Sequence, residues 1–112
     1  MKFENMEVWK KASRLSVLIY SELKNLTDYG FKDQITRSGL SIPSNIAEGL
    51  DRESIKDKRK FLIYARGSCA ELRTQTYIGM EIGYISKQAG VLWVRDTQEI
   101  SAMLTGLMKS LH

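Results

Sequence analysis

Pro43 is the only proline in a chain of 112 residues. Clusters of Gly, Asn, Ser and Pro are also few, so little interrupts an element once it has begun. Long uninterrupted elements in a chain of this size point to helices rather than to many short strands. The residue types agree. Val is scarce, while Leu, Ile, Lys, Glu and Met are plentiful, so the expected fold class is all-α. A chain that is 43% hydrophobic and 27% charged has the composition of one globular domain, 1–112, with a single core.

Four apolar patterns at helical spacing follow one another. The first runs from about Met6 to Leu26, with Val8, Ala12, Leu15, Ile19, Leu23 and Leu26 on one face and Trp9 and Tyr20 beside it. Thr27-Asp28-Tyr29-Gly30 breaks it, Gly30 being suited to the left-handed backbone that ends helices. The second runs from about Phe31 to Gly49 and carries two stripes. Ile35, Gly39, Ile42, Ile46 and Gly49 or Leu50 form an apolar one, and Arg37, Ser41, Asn45 and Glu48 a polar one. Pro43 lies inside this pattern. It removes a backbone donor and crowds the carbonyl of Gly39. The sequence allows a helix that begins at Pro43, but one helix kinked at Pro43 is the favoured reading. The Gly39 carbonyl would then need a partner, for which the hydroxyls of Ser41 and Ser44 or a water are candidates.

Ser54-Ile55-Lys56-Asp57 resembles a capping box and opens the third and longest pattern, from about Ser54 to Ile85. Phe61, Ala65, Ser68, Leu72, Gln75 or Thr76, Gly79 and Ile82 form its main seam, broadened by Leu62, Cys69, Ile78 and Ile85. The small residues Gly67 to Ala70 are expected to face the second helix. Ser86-Lys87-Gln88-Ala89-Gly90 is read as closing this helix, and the fourth pattern, Val91 to Leu111, carries Trp93, Thr97, Ile100, Leu104, Leu107 and Leu111. Four patterns with short connections predict an antiparallel up-down-up-down four-helix bundle.

The catalytic inventory is thin. His112, the last residue, is the only histidine, and Cys69 the only cysteine, set among small residues on a helix. That leaves no Ser-His-Asp or Cys-His arrangement, no zinc ligand set and no paired Glu-x-x-His sequence of a di-iron bundle. No disulfide can form within the chain. No phosphate-binding glycine loop is present either. The expectation is a protein without enzymatic activity, cofactor or metal. Glu48 and Glu71 could share a metal, but Arg37, Arg52, Arg66 and Arg73 stand within helical reach of them. The expected role of these charges is a structural network that fixes the register of helices two and three, with Asn45 bridging backbone groups loosened by Pro43.

Charge is the better functional lead. The formal net charge is +4 and the isoelectric point about 9.3. Arg52, Lys56, Lys58, Arg59 and Lys60 form the densest basic cluster, against Asp51, Glu53 and Asp57. Such a cluster suits contacts to a phosphate backbone, RNA or DNA, without base readout. The first seven residues lack the apolar core of a signal peptide, and no run approaches the about 18 apolar residues of a membrane span. A cytoplasmic location without membrane contact is expected.

Several motifs together resemble a known family. Gly30-Phe31, Gln34-Ile35 and Arg37 precede Ser41-Ile42-Pro43-Ser44-Asn45-Ile46-Ala47-Glu48-Gly49. Phe61-Leu62, Ala65, Gly67-Ser68, Glu71-Leu72 and Gly83-Tyr84-Ile85 follow, while Phe3, Glu7-Val8-Trp9 and Ile19-Tyr20 extend the match to the amino-terminal end. This pattern resembles the bacterial 23S rRNA intervening-sequence proteins, the S23 family of four-helix bundles, over essentially the whole chain. Arg37, Ser41, Pro43, Asn45, Glu48, Gly49, Ser68 and Glu71 carry its structural signature. The resemblance implies a homopentamer with a central channel and a role that is not established. It also implies a fold similar to the accessory variability determinant of diversity-generating retroelements, a basic pentamer that binds nucleic acid and a reverse transcriptase. Two functions are therefore expected in competition: backbone-directed nucleic-acid binding, or a scaffold for another protein. Thr36 stands where relatives often carry a basic residue, which would take a charge from a nucleic-acid surface. Gly39 stands where Ala is common, which would add flexibility near Pro43.

Overall fold

The computed structural model describes residues 2–112. A short 3-10 turn, Phe3–Asn5, leads into α1 (Glu7–Glu22), α2 (Tyr29–Leu50), α3 (Ile55–Glu81) and α4 (Lys87–Lys109). No strand is present among the described residues, and the chain is all-α. Each helix packs on its neighbours in sequence and α1 closes against α4, while the two diagonal pairs stay apart. This pairing is consistent with an up-and-down bundle. The particle measures 44 × 21 × 20 Å, long along the helices.

Three helices begin in the same way. The side chains of Asp28, Ser54 and Ser86 each accept a hydrogen bond, at 3.1 Å, from the backbone N–H three residues on, in Phe31, Asp57 and Ala89. Each cap satisfies one of the four donors that a helix start leaves open, a contribution of about 1 kcal/mol. Gly30 therefore lies in the first turn of α2 and ends nothing; α1 stops earlier, at Leu23.

The end of α3 also departs from expectation. Gly83 is the only described residue with a positive φ, 83°. Its N–H donates to the Met80 carbonyl and the N–H of Tyr84 reaches back to Gly79 at 2.9 Å, the six-to-one bond of a Schellman cap. Residues 86–90 consequently open α4 instead of closing α3. Gly90 is a packing residue: a Cβ there would lie 3.0 Å from Met80 Cε.

The first two apolar stripes land in the core, except that Leu26 is half-buried and Tyr20, expected to widen the first, is exposed. Val8, Ala12, Leu15, Ile19 and Leu23 of the α1 stripe are buried, as are Ile35, Gly39, Ile42, Ile46 and Gly49 of α2. In α3 the buried line is Leu62, Ala65, Cys69, Leu72, Thr76 and Gly79, which keeps Ala65, Leu72, Thr76 and Gly79 of the expected seam and takes Leu62 and Cys69 from its flank. Phe61, Ser68 and Gln75 sit at its edge, and Ile78 and Ile82 point outward. Of the small residues, Ser68 faces α2 through Ser41, Cys69 enters the core, and Gly67 and Ala70 are exposed. In α4 Trp93, Thr97, Ile100, Leu104 and Met108 are buried.

Two glycines let helices approach closely. A Cβ on Gly39 would lie 3.1 Å from Ile19 Cδ1, so this glycine serves the contact between α1 and α2 and not a local looseness at Pro43. α2 itself runs unbroken through Pro43. A Cβ on Gly49 would lie 3.0 Å from Phe61 Cβ and 3.1 Å from the Lys58 carbonyl. The end of α2 is thereby pressed onto the second turn of α3. Lysines clip the first two connections: Lys32 Nζ donates to the Lys24 carbonyl at 3.0 Å, and Lys58 Nζ to the Leu50 carbonyl at 3.1 Å. Lys58 thereby places a cation on the last carbonyl of α2, where the helix dipole favours it, and Lys32 binds the turn that follows α1.

Candidate nucleic-acid interface

The basic cluster at the α2–α3 connection divides into two groups. Arg52 pairs with Glu48, one turn before it, and its guanidinium carbon lies 4.8 Å from the centroid of the Phe61 ring. Lys58 is engaged on the Leu50 carbonyl. Both are committed to holding the connection. Lys56, Arg59 and Lys60 form no ion pair among the described residues and are exposed. They line an open groove of about 480 Å³ together with Asp57, Ile63 and Tyr64. Three cations face one carboxylate there, so the groove favours an anion.

The aromatic residues of this region are layered. Lys60 Nζ lies 5.3 Å from the centroid of the Phe61 ring, which Arg52 also approaches. Phe61 meets Tyr64 edge to face, with centroids 5.7 Å apart and planes at 89°. Gly49 gives Phe61 its seat, so the last residue of the signature stretch supports the groove without lining it. Ile63 and Tyr64 were absent from the charge-based reading. The signal that finds them is spacing: Lys56, Lys60 and Tyr64 recur every four residues and so share one helix face.

Four of the signature residues, Ser41, Asn45, Ser68 and Glu71, form with Ser38 a polar seam between α2 and α3. Ser38 Oγ donates to Glu71 Oε1 at 2.9 Å, and Ser68 Oγ donates to Ser41 Oγ at 3.0 Å. Asn45 Nδ2 donates to both the carbonyl and the hydroxyl of Ser41, each at 2.9 Å, and so bridges the turn in which Pro43 lacks its N–H. The Ser41 hydroxyl is thus engaged with Asn45 and Ser68 instead of the Gly39 carbonyl.

Of the expected charge network only the Glu48–Arg52 pair forms among the described residues, and the other arginines that bond take different partners. Arg37 turns outward to Asp33 at 2.9 Å, Glu48 takes Arg52, and Arg66 crosses to α4, where its Nη1 donates to Thr105 Oγ1 at 3.1 Å. Register between α2 and α3 is held by hydroxyl and carboxylate contacts, with the arginines at the periphery. An i,i+4 partner is already adjacent on the helix surface, so it wins over one that must be met across two long side chains. Thr36 is buried and donates to the Lys32 carbonyl at 2.7 Å, so a basic residue's absence there takes nothing from the surface. Cys69 is buried, and burial pushes its thiol up to about 12 against the opposing pull of Arg73, which is the chemistry of a packing residue and not of a nucleophile.

This all-helical arrangement, with the polar seam along Ser38–Ser41–Asn45 and Ser68–Glu71, agrees with the motif resemblance. The sequence model of the 23S rRNA-intervening sequence proteins matches residues 4–106. The chain belongs to that family. A solved structure of an S23 ribosomal protein family member of unknown function, from Bacteroides thetaiotaomicron, is 26% identical and superposes with a TM-score of 0.85. The match covers 92% of this chain and 99% of that one, so the whole bundle is shared and not one helix pair. No curated protein matches the chain. For this 23S rRNA-intervening sequence protein, no helix among the described residues is long and apolar enough to cross a membrane.

Proposed function

We propose that the chain is a non-enzymatic homo-oligomer, a pentamer, that binds RNA or DNA through its phosphate backbone. The observation that carries the binding half is the set of three unpaired cations, Lys56, Arg59 and Lys60, converging on one groove. Bound phosphates would release counterions from the nucleic acid, so affinity falls with salt. Three contacts per protomer give a slope of log K against log salt of about −2 on single strands and about −3 on duplex. A titration of structured RNA at several salt concentrations, with Lys56→Gln, Arg59→Gln and Lys60→Gln combined as control, measures it. A flat salt dependence, or binding unchanged in the triple variant, refutes the reading.

The oligomer half is supported by exposed apolar side chains on separate helices. Val17 and Leu18 border an apolar hollow with Ser13 and Arg14 on α1, and Tyr77, Ile78 and Ile82 stand out from α3. Surfaces of this kind mark protein contacts. Two different patches on one chain suit a head-to-tail ring. The number five follows the family resemblance. A monomer by light scattering at micromolar concentration refutes it. The same apolar faces also favour the second reading, a scaffold for a different protein; a partner that remains bound after nuclease treatment would select it.

A further inference from the structure

Resting on the nucleic-acid reading above, we infer that the groove at the start of α3 takes an unpaired nucleotide, with phosphates on Lys56, Arg59 and Lys60 and the base stacked on the ring of Tyr64. The groove is built in two halves. One half is cationic, Lys56, Arg59 and Lys60 with Asp57 beside them, and the other is Ile63 and Tyr64. Lys56, Lys60, Ile63 and Tyr64 follow the spacing i, i+4, i+7, i+8, so they lie along one face over a rise of about 12 Å. A volume of about 480 Å³ lies within the range of sites for small ligands.

Tyr64 has no role in the bundle that explains it. It is 50% exposed, and its hydroxyl makes no hydrogen bond among the described residues. What the fold does provide is support. Phe61 packs against Tyr64 edge to face and holds the ring, while Phe61 itself is already covered by Arg52 and Lys60. Tyr64 is therefore the aromatic surface left open beside free cations. A duplex keeps its bases stacked inside and would use the cationic half alone. An unpaired nucleotide uses both halves, since every base has a π-face and stacking is indifferent to sequence. An acidic peptide would satisfy the cations but has no planar group for the tyrosine.

The test is fluorescence anisotropy at low salt with three dye-labelled probes of equal length: an oligothymidylate, a fully abasic strand with the same number of phosphates, and a blunt duplex. The proteins are the parent, Tyr64→Leu, Tyr64→Phe and the triple variant Lys56→Gln, Arg59→Gln, Lys60→Gln, each checked for an unchanged melting profile. The parent should bind the oligothymidylate more tightly than the abasic strand. Tyr64→Leu should lose roughly 5- to 150-fold on the oligothymidylate, the range seen for one stacked base, and nothing on the abasic strand. Tyr64→Phe, which keeps the ring, should bind like the parent. If Tyr64→Leu binds both strands like the parent while the triple variant loses affinity, stacking is refuted and the backbone reading stands. If the parent binds none of the probes, or the triple variant binds all of them unchanged, the backbone reading falls and stacking with it. Displacement of the oligothymidylate by polyglutamate of equal charge at equal concentration overturns the nucleotide assignment.

Discussion

Helix α3 contains two glycines in opposite surroundings, and the same substitution at each should move stability in opposite directions. Around Gly67 nothing lies within 4 Å of an added Cβ. Alanine there gains helix propensity and reduces the freedom of the unfolded chain, a stabilisation of about 0.5–1 kcal/mol. At Gly79 the added Cβ would stand 2.8 Å from Ile85 Cγ1 and 3.0 Å from Phe31 Cζ. Neither neighbour can yield easily. Ile85 is 2% exposed, and Phe31 is held edge to face on Tyr84 with centroids 5.3 Å apart. Overpacking of this kind costs about 1–3 kcal/mol and outweighs the same propensity gain. The propensity contribution is common to both variants, so the difference between them isolates the contact at about 1–3 kcal/mol. For a domain of this size that separates the two melting temperatures by at least about 4 °C. Urea unfolding followed by circular dichroism, at one fixed protomer concentration, gives both free energies. Equal stability of Gly67→Ala and Gly79→Ala would show that the end of α3 does not press on the α3–α4 connection as described.

Gly83→Ala tests the cap beside it. With φ at 83° an alanine is strained by about 1–2 kcal/mol, so its unfolding midpoint should fall although its side chain would meet nothing within 4 Å. Asp28 and Tyr84 give the pH dependence two limbs. The backbone N–H of Phe31, and then the Tyr84 hydroxyl at 2.9 Å, hold the Asp28 carboxyl below its usual 3.8, so its contribution is present above that value and is lost as pH falls through the lower folded one. The same hydrogen bond raises the Tyr84 phenol above its usual 10.0, and that contribution is present below 10.0 and lost as pH rises through the folded value. The stability gap between the parent and Tyr84→Phe should therefore be constant near neutral pH and close in alkali; a gap that persists there refutes the pairing. Cys69, with its thiol near 12, should not react with an aromatic disulfide reagent at about pH 8 until denaturant is added, and immediate reaction of the folded protein would contradict its burial.

The stripes of α1 and α2 could be read from the chain because each buries one continuous face at strict three- and four-residue spacing. α3 was harder. It carries more apolar residues than its buried line from Leu62 to Gly79 takes up, and Ile78 and Ile82 stay exposed. Gly83 and Gly90 are equally good stop signals as letters. Only the cap geometry separates them: Ser86 accepts from the Ala89 N–H, which makes Gly90 part of a helix start. At the candidate interface the cations were visible as composition, but their division was not. Whether a lysine is free depends on a carbonyl eight residues back, as for Lys58 and Leu50, and no charge pattern records it. Tyr64 carries no such signal as a letter, because an aromatic residue on a helix is core or surface only once burial places it.

Lys32 and Lys58 each close a helix end with the ammonium group that would otherwise count toward attraction for a polyanion. The amines of this chain are consequently not equivalent targets for acylation, which removes both the charge and the donors. An acetyl group on Lys56 or Lys60 would remove one of the groove's three positive charges and leave the bundle intact. The same group on Lys32 or Lys58 would release a connection between helices and leave the groove as it was. Limited acetylation followed by peptide mapping should label Lys56 and Lys60 ahead of the half-buried Lys32 and Lys58, separating recognition from architecture within a single residue type.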